Sequence, residues 1–442
     1  MANFDFSKLS IAVDLGGSKI KGVIGFVNES GKFVCLTSEQ EKSAGISHGY
    51  VKNISEAAGG VKSLMTKLTN RLSNLLKKEN LFPEGCRLSI EKVYVSISAA
   101  YTQGVFKKIE RNLPHLEVTE DIINDIQKEN DDYSRTAYTS YDKDFFMAIP
   151  QSYELDGCVE HNPVGCVCNH LAVVFQNIVI RKDLLTNIKT CFERAGYPNV
   201  EFRLAPIAMS NAVLTTQEKN DGAVLIDFGA HDTSISVFQD AELKYVYILP
   251  KGSNRITEDL QELKMPTENA QLIKQNGCAM RGIEEPCGFT MMVYGEERYF
   301  DSELIADIIE HRLDKIYDQV RQVISYAPLK RPINQIVMVG GGSNLKYIKE
   351  KTEASFGIST RLGSVVDMDD NSSIRSYAAV LGTLYDANGG SVLVKSMEEE
   401  PVVQNTRKQS STVKPVDKLK NLMGSLFDSM FQDQTNEQSD QM

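Results

Sequence analysis

The sequence predicts a mixed α/β protein made of two similar halves that face each other across a cleft. In the first half, IAVDLGGSKIKGVIGF (residues 11–26) reads as a strand, a Gly-Gly turn and a second strand. AVLIDFGAHDTSISVF (223–238) repeats this order, with an Asp near the end of the first strand in both copies. Asp14 and Asp227 are equivalent in this alignment, and so are Gly16 and Gly229. Duplication of one unit accounts for the repeat.

The segments after each hairpin extend the comparison. FVCLTSEQ (33–40) and LKYVYILP (243–250) are each predicted as a third antiparallel strand. Residues 61–80 are predicted as a helix because apolar side chains recur at steps of three and four, and KVYVSIS (92–98) is predicted as a buried strand. The apolar face of that helix consists of Val61, Leu64, Met65, Leu68, Leu72, Leu75 and Leu76.

A third glycine turn follows a predicted strand at residues 336–339. Gly340, Gly341 and Gly342 precede a helix that is predicted to begin near Ser343. The N-terminus of such a helix presents free backbone N–H groups, and the glycines let a ligand approach the chain closely.

Three segments differ from the repeated halves. Residues 99–177 combine a strand, a helix capped by Thr119 and further strands, which predicts a small α/β insertion. Residues 388–415 are polar and without periodicity, which predicts a flexible linker. Residues 416–433 predict an amphipathic helix. Its apolar face consists of Val416, Leu419, Leu422, Met423, Leu426, Phe427, Met430 and Phe431.

Composition narrows the function classes. The chain has 442 residues, of which 42% are hydrophobic and 24% charged, as is typical of a soluble globular protein. Its formal net charge of −11 argues against a nucleic-acid partner, because binding the phosphate backbone requires a basic surface. The sequence contains no apolar run long enough to predict a spanning helix, and its start lacks the apolar region of a signal peptide, so we expect a cytosolic protein.

A cysteine-rich segment lies within the predicted insertion. Cys166, Cys168 and His170 alternate, so a strand would point them to one face, with Cys158 and His161 just upstream. A zinc site can be drawn from these residues, but their spacing fits no standard finger. Reduced thiols on a strand are the simpler interpretation.

The two Asp-bearing hairpins suggest a nucleotide site. Each turn offers backbone N–H groups to phosphates, and each carboxylate can orient Mg²⁺ through its bound waters. The turn at Gly340 would then cover the adenosine. Because glycine turns also join strands for purely structural reasons, the prediction depends on all three turns occurring in this order.

This order of a first phosphate loop, a second phosphate loop and an adenosine loop resembles the actin-type ATPase fold. Within it, VDLGGSKIKGVIG, IPQSYELDG…NPVG, ITEDLQELKMPTENAQLIKQNGCA and IVMVGGGSNL are similar to the bacterial cell-division FtsA family. The resemblance extends to about Asp386. The insertion corresponds to the subdomain that this family calls 1C, and an amphipathic C-terminus after a linker is also a family trait.

The resemblance implies a division of the chain. Subdomain 1A would comprise residues 1–98 and 178–205 around 1C at 99–177. Subdomain 2A would comprise 206–258 and 310–387 around 2B at 259–309. The linker at 388–415 would lead to a membrane-targeting helix at 416–433.

The resemblance also implies a site for ATP and Mg²⁺. Asp14 and Asp227 would lie near the metal and the γ-phosphate, Lys19 or Lys21 would supply positive charge, and Lys274 would approach the ribose. The implied nucleotide set is Gly16, Gly17, Ser18, Lys19, Lys21, Gly229, Asp232, Thr233, Gln271, Lys274, Gly341, Gly342 and Ser343.

The implied function is to tether filaments of the division protein FtsZ to the cytoplasmic face of the inner membrane at the division site. ATP would gate self-assembly into filaments, and other division proteins would be further partners. The FtsZ C-terminal tail would bind subdomain 2B, where Arg281, Arg298 and Tyr299 are the candidates. Lipid contacts would come from Leu419, Leu422, Met423, Leu426, Phe427, Met430 and Phe431.

The second phosphate loop departs from the family pattern Asp-x-Gly-Gly-Gly-Thr. Ala230 and His231 replace glycines, and Asp232 adds negative charge where phosphates would sit. Gln271 stands where relatives usually have Glu. These changes predict weakened affinity with weak or no ATPase activity, or else a degenerate loop that binds no nucleotide.

Two other functions fit parts of the sequence. DLGGSKIKG also resembles the first loop of ROK-type sugar kinases, but GCVCNH lacks their zinc spacing, and the sequence offers no evident sugar-binding or general-base segment. A pilus-assembly scaffold of the PilM type would share the fold and the insertion. It would have no use for an amphipathic tail, which favours the FtsA resemblance.

Overall fold

The computed structural model describes residues 9–27, 33–78, 92–140, 142–160, 162–282, 288–365 and 372–389. The predicted amphipathic helix lies outside these ranges, as does the predicted linker from residue 390 onward. Within the described ranges, no helix is both long and apolar enough to cross a membrane.

The first hairpin and its third strand fold as predicted, with β1 antiparallel to β2 and β2 antiparallel to β3. Helix α1 begins at Ile54, before the predicted residue 61, because the Asn53 side chain accepts hydrogen bonds from the N–H groups of Ser55 and Glu56. The elements are β1 (Ser10–Leu15), β2 (Lys19–Val27), β3 (Phe33–Lys42), β4 (Ile46–Ser47), β5 (Tyr50–Val51), α1 (Ile54–Lys78) and β6 (Val93–Ile97).

The predicted insertion contains the strands and the capped helix that its sequence indicates. Thr119 caps the helix by accepting a hydrogen bond from Ile122 N at 3.4 Å. The two flanking strands pair antiparallel with a third that lies between them. The elements are β7 (Gln103–Glu117), α2 (Glu120–Ala137), β8 (Lys143–Leu155), β9 (Cys158–Glu160) and β10 (Val167–Arg181).

The chain then completes the first sheet and begins the second hairpin. A parallel strand and three helices lead into the hairpin, which carries its predicted third strand. The elements are α3 (Leu184–Ala195), β11 (Val200–Leu204), α4 (Ala205–Val213), α5 (Thr216–Asp221), β12 (Ala223–Phe228), β13 (Thr233–Gln239) and β14 (Glu242–Leu249).

The remaining elements flank the second hairpin or return to the first sheet. They are α6 (Asn254–Gln261), α7 (Thr267–Asn276), β15 (Gly288–Val293), β16 (Glu296–Asp301), α8 (Ser302–Ser325), β17 (Gln335–Val339), α9 (Ile348–Phe356), β18 (Ser359–Leu362), α10 (Ser372–Ser376) and α11 (Ala378–Ala387). β15 and β16 form a hairpin of their own.

The two halves repeat one strand order. The first sheet runs β11-β6-β1-β2-β3, and the corresponding part of the second runs β18-β17-β12-β13-β14. In each, the strand that carries the Asp pairs antiparallel with the next strand and parallel with a later one. The predicted duplication of the hairpin is confirmed in its pairing pattern.

The insertion hydrogen-bonds to the second half, although its sequence lies within the first. Its strands continue the second sheet in the order β14-β7-β10-β8-β9. The join is short, because Tyr247 of β14 faces Gln103 of β7, and Ile248 N donates to Thr102 O at 3.0 Å. The insertion therefore joins the second half close to the turn of its hairpin, since Ile248 pairs with Ser234.

The helix predicted near Ser343 is a single 3-10 turn, Gly341–Asn344, and the α-helix begins only at Ile348. Two features separate them. Lys346 O accepts a hydrogen bond from Ala279 N at 2.8 Å, and Tyr347 has a left-handed backbone with φ of 59°. The prediction of a helix N-terminus directly after the glycines is therefore wrong.

Three apolar cores hold the described part of the chain. One fills the first half and reaches the near faces of β12 and β17, a second lies between the other faces of those strands and α8, and a third supports the insertion. Residues of β12 alternate between the first two cores, with Leu225 in one and Ile226 in the other. The two halves are thus packed through a shared core beneath the cleft.

Close packing at β2 yields a test of this arrangement. A Cβ at Gly25 would overlap the carbonyl oxygen of Val34, whereas Gly59 on the exposed side of α1 has no neighbour within 4 Å. Gly25→Ala should destabilise the protein by about 1–3 kcal/mol because backbone atoms must move. Gly59→Ala should stabilise it by about 0.5–1 kcal/mol through reduced helix entropy loss. Urea unfolding of the two variants measures both effects, and equal free energies would contradict this packing of β2.

Candidate functional site

The two Asp-bearing turns face each other across one large cleft. Asp14 pairs in register with Lys21, and Asp227 pairs with Ser234 at the equivalent place of the second hairpin. A cavity of about 850 Å³ lies between the hairpins and the glycine turn at Gly341. The residues of the predicted set that line it are Asp14, Gly16, Gly17, Ser18, Lys19, Lys21, Asp227, Gly229, Asp232, Gln271, Lys274, Gly341 and Gly342.

Two predicted residues lie behind the lining. Thr233 is buried, and its hydroxyl donates to Lys251 O at 2.6 Å. Ser343 is also buried, and its hydroxyl donates to Gly340 O at 2.7 Å. Both side chains hold the turns in shape and have their hydroxyl hydrogens directed at the protein backbone.

The floor of the cleft concentrates charge where little water is present. Desolvation raises the pKa of Asp14 to about 6, although Lys21 partly offsets the shift. Desolvation and the neighbouring Asp14 carboxylate raise the pKa of Asp227 to about 7, with Lys21 again acting in the opposite direction. The two carboxylates are therefore close enough to disfavour each other's charge.

Lys21 is the cation at this floor. Its Nζ donates to Ser376 O and lies 5.0 Å from the centroid of the Tyr377 ring. Desolvation lowers the pKa of Lys21 to about 8, while the Asp14 carboxylate raises it. Lys21 therefore connects the first hairpin to the junction of α10 and α11. The same junction also contacts the third glycine turn, because Gly340 N donates a hydrogen bond to Arg375 O at 3.0 Å.

The second phosphate loop is folded back on its own half. Gly229 N donates to Asp232 O at 3.0 Å. The carbonyl oxygens of Gly229 and Ala230 accept hydrogen bonds from Ser253 N at 2.9 Å and Asn254 N at 2.8 Å. The backbone N–H groups that open α6 are thereby used within the protein.

The side chains of this loop reach the first half. Asp232 Oδ1 lies 2.6 Å from His48 Nδ1, and the His48 and His231 ring centroids are 5.5 Å apart. The His231 ring also lies directly against Gly17, where a Cβ would overlap it. His48 was missed by sequence reasoning, because ISHGY (46–50) carries neither a periodic pattern nor a motif.

Lys274, on α7, also lines the cavity. Its Nζ donates to Thr257 Oγ1 at 2.8 Å and to Ser253 O at 3.4 Å. Desolvation lowers its pKa to about 8. Other lining residues that sequence reasoning missed are Ser96, Ser234, Asn254, Leu345 and Tyr377. Most of them come from parts of the chain without a recognisable motif.

The residues fit the nucleotide and metal that the fold implies. The cavity has glycine turns at both ends, and the buried hydroxyl of Ser234 lines it without a hydrogen-bond partner among the described residues. Asp14 and Asp227 provide the hard oxygen ligands that Mg²⁺ prefers, directly or through water. A divalent cation would also relieve the repulsion between their charges.

The candidate FtsZ residues lie away from the cleft. Arg281 pairs with Asp307 at 2.8 Å and with Glu310 at 3.1 Å. Arg298 donates to Lys264 O at 2.8 Å and Leu263 O at 3.0 Å, so its guanidinium caps the segment after α6. Tyr299, on β16, is 67% exposed.

The cysteine-rich segment divides between two environments. Cys168 is buried on β10, whereas Cys166 precedes the strand and a register shift separates Cys168 from His170. The prediction that Cys166, Cys168 and His170 alternate along one regular strand is therefore wrong. His161 lies outside the described residues, and within the described ranges no group of three His, Cys, Asp or Glu residues is arranged to hold a metal.

Comparison with known proteins finds similarity to one family. A family model described as cell division protein FtsA matches residues 224–382. The chain is 25% identical over 355 residues to the cell division protein FtsA of Streptococcus pneumoniae, covering 79% of this chain and 74% of that protein. It is 25% identical over 435 residues to FtsA of Borreliella burgdorferi, covering 95% and 98%. Over most of its length the chain is therefore similar to cell division proteins of the FtsA family.

Solved structures agree with the fold expected of an FtsA relative. The PilM-PilN type IV pilus biogenesis complex is similar with a TM-score of 0.57 and 14% identity, covering 86% of this chain and 98% of that chain. MreB5 of Spiroplasma citri bound to ADP is similar with a TM-score of 0.50 and 12% identity, covering 87% and 98%. The predicted actin-like α/β fold is confirmed.

The raised carboxyl pKa values predict a pH dependence of stability. Because the folded state holds protons on Asp14 and Asp227 at pH values where the unfolded chain has released them, their contribution to stability falls as pH rises from about 4 to about 7. Asp227→Asn removes one of these charges. It should raise the free energy of unfolding at pH 8 by about 2–4 kcal/mol and have little effect at pH 4.

Thermal unfolding of metal-free and nucleotide-free protein between pH 4 and pH 8 measures this difference. Asp125→Asn, at an exposed position of α2, is the matched control and should show no pH-dependent difference from the parent protein. A difference between Asp227→Asn and the parent that shrinks as pH rises would contradict the assignment.

Proposed function

We propose that this FtsA relative tethers FtsZ filaments to the cytoplasmic face of the inner membrane at the division site. We further propose that it binds Mg-ATP in the cleft and self-assembles into filaments. The observation that carries the proposal is the pair of equivalent Asp hairpins facing one cavity, in a chain that is similar to cell division proteins of the FtsA family. The implied subdomain division would place this cavity between 1A and 2A.

Different residues of the cleft would contact different parts of the nucleotide. Asp14 and Asp227 would hold Mg²⁺, which would supply positive charge between the two carboxylates. Lys21 and the turn at Gly16 would face the phosphates, and the turn at Gly341 would face the adenosine. Since Lys21 also contacts the α10–α11 junction, phosphate binding would compete for a cation that already holds Ser376 O.

The partner surface proposed for the FtsZ tail is the exposed side of the β15–β16 hairpin. Met292, Tyr294 and Tyr299 are 59%, 76% and 67% exposed there. Exposed aromatic and apolar side chains close together favour an apolar peptide. Because Arg298 is committed to backbone carbonyls of its own chain, Tyr299 is the better anchor of the two.

The membrane anchor is proposed to be the apolar stripe of residues 416–433. Fully burying one large apolar side chain releases roughly 1.5–3 kcal/mol, and insertion at an interface realises only part of this. The polar side carries Lys418 and Lys420 against Asp417, Asp428 and Asp433, so attraction to anionic lipid contributes little. Many weak anchors on a filament would add by avidity.

Co-flotation with liposomes tests the tether. Purified FtsZ should float with liposomes when the full-length protein is added and should stay at the bottom without it. Leu422→Glu combined with Phe427→Glu should abolish flotation of both proteins, because charge replaces two apolar contacts. Tyr299→Ala should leave this protein floating but release FtsZ.

Tyr326→Ala is the matched control for the partner surface, since Tyr326 is 60% exposed on the C-terminal side of α8. It should leave FtsZ flotation unchanged. Flotation that survives the double Glu substitution, or that moderate salt abolishes, would refute the proposed anchor. FtsZ capture that Tyr299→Ala leaves intact would remove that residue from the partner surface.

Nucleotide binding is tested by titrating labelled ATP into the protein with and without Mg²⁺. Binding should strengthen with Mg²⁺, and Asp14→Ala should weaken it and remove most of the Mg²⁺ effect, because a metal-orienting carboxylate is lost. Arg321→Ala, at an exposed position on α8, is the control. No measurable affinity of the parent protein for ATP or ADP up to millimolar concentration would show that the site is vestigial.

The pilus-scaffold alternative receives no separate support. The similarity to the PilM-PilN complex is at 14% identity and concerns the fold. The relatives that match most of the chain, including FtsA of Neisseria meningitidis at 24% identity over 85% of it, are cell-division proteins.

A further inference from the structure

The two phosphate loops are bridged by three side chains, which we call the cleft bridge: His48, His231 and Asp232. The His231 ring lies against the backbone of Gly17 in the first loop. His48 from the first half and Asp232 from the second are joined at 2.6 Å. The space directly between the two turns is therefore filled by protein.

Each end of the cleft bridge is fixed by its own half. His48 has a left-handed backbone with φ of 54°, and its carbonyl oxygen accepts Ala100 N at 3.1 Å. Asp232 closes the second loop by accepting Gly229 N at its own carbonyl oxygen. The contacts of the bridge therefore depend on the relative position of the two turns.

The imidazole of His231 has hydrogen-bonding capacity that the protein does not use. Its Nδ1 is buried and has no hydrogen-bond partner among the described residues. The carbonyls of Gly229 and Ala230, just before His231 in the loop, already accept hydrogen bonds from the start of α6, so backbone rearrangement there would break two hydrogen bonds. A ligand group entering between the turns meets the His231 ring before it meets loop backbone.

We propose that the cleft bridge makes the nucleotide site selective for a nucleoside diphosphate over a triphosphate, with His231 as the specificity-determining residue. This inference rests on the proposed nucleotide binding. With the adenosine at the turn of Gly341, the phosphate chain would run toward Gly16 and Gly17, and the terminal phosphate of a triphosphate would fall between the two turns. There it must displace the His231 ring and approach the Asp232 carboxylate. A diphosphate that ends at the first loop leaves the bridge intact.

The selectivity follows from the fraction of protein molecules in which the bridge is open. A triphosphate binds only the fraction of molecules whose bridge is open, so its apparent affinity falls by that fraction. A diphosphate binds open and closed molecules. The parent protein should therefore bind Mg-ADP at least about tenfold more tightly than Mg-ATP.

The experiment is equilibrium titration of labelled ADP and ATP, with Mg²⁺, into full-length protein and variants. His231→Ala should tighten ATP binding by about tenfold and change ADP binding by less than about threefold, which removes the preference. His48→Ala frees Asp232 without touching Gly17 and should reduce the preference by a smaller factor. His311→Ala, at an exposed position on α8, should keep it.

A second measurement tests the contact without nucleotide. Gly17→Ala should lower the melting temperature in the parent protein, because the new methyl group meets the His231 ring, and should have little effect in the His231→Ala background. Equal effects in both backgrounds would overturn the contact on which the proposal stands.

The titration distinguishes a failure of the proposed selectivity from a failure of the proposed nucleotide binding. Equal affinity of the parent protein for ADP and ATP, unchanged in His231→Ala, would overturn the selectivity and leave nucleotide binding standing. Equal weakening of both nucleotides by His231→Ala would also overturn it, since the ring would then be a general contact. No binding of either nucleotide to the parent or to His231→Ala would overturn the proposed nucleotide function and this inference together.

Discussion

The structure depends on two carboxylates and one ammonium group meeting at the floor of a cleft. Asp14 and Asp227 come from equivalent positions of two hairpins; desolvation raises the pKa of both, and the Asp14 carboxylate further raises that of Asp227. Lys21 offsets part of this cost and is itself held by Ser376 O and the Tyr377 ring. A cleft that lacks enough internal positive charge is suited to a ligand that brings a divalent cation with it. The carboxylates that favour metal binding at this floor therefore lower the stability of the metal-free protein.

The fold was predictable wherever local pattern determines structure. Alternating apolar residues gave both hairpins and their third strands, and helical spacing gave α1, because burying one face fixes strand register and helix orientation. The start of α1 at Ile54 was missed, although Asn53 is a cap signal that could have located it. The prediction of an α-helix after Gly342 was wrong because a hydrogen bond between residues distant in sequence, from Ala279 N to Lys346 O, interrupts the helix there.

The sequence predicted the loops that line the candidate site but not the contacts that hold those loops in place. The glycine turns identified most of the cavity lining, and the changed second loop was visible as Ala230, His231 and Asp232. Neither the packing of His231 on Gly17 nor the partner of Asp232 follows from the sequence, because both depend on how two distant hairpins are placed. The join between β14 and β7 was missed for the same reason, since a few hydrogen bonds between remote edge strands leave no periodic signal.

The same cleft is connected to the end of the described chain. α11 packs within the first-half core and ends close to Asp386, whose carboxylate accepts Asn211 Nδ2 at 3.1 Å and pairs with Arg203 Nε at 3.2 Å. Lys219 donates to Asn211 Oδ1 at 2.8 Å, so β11, α4 and, through Asn211, α5 converge on this carboxylate. Lys21 meets the other end of the same segment at Ser376. A movement of the first phosphate loop that withdrew Lys21 would therefore act on a short helix anchored at both ends. Its effect would be either to loosen the contact at Ser376 or to shift α11 against its core, and the rigidity of close-packed interiors makes the first less costly.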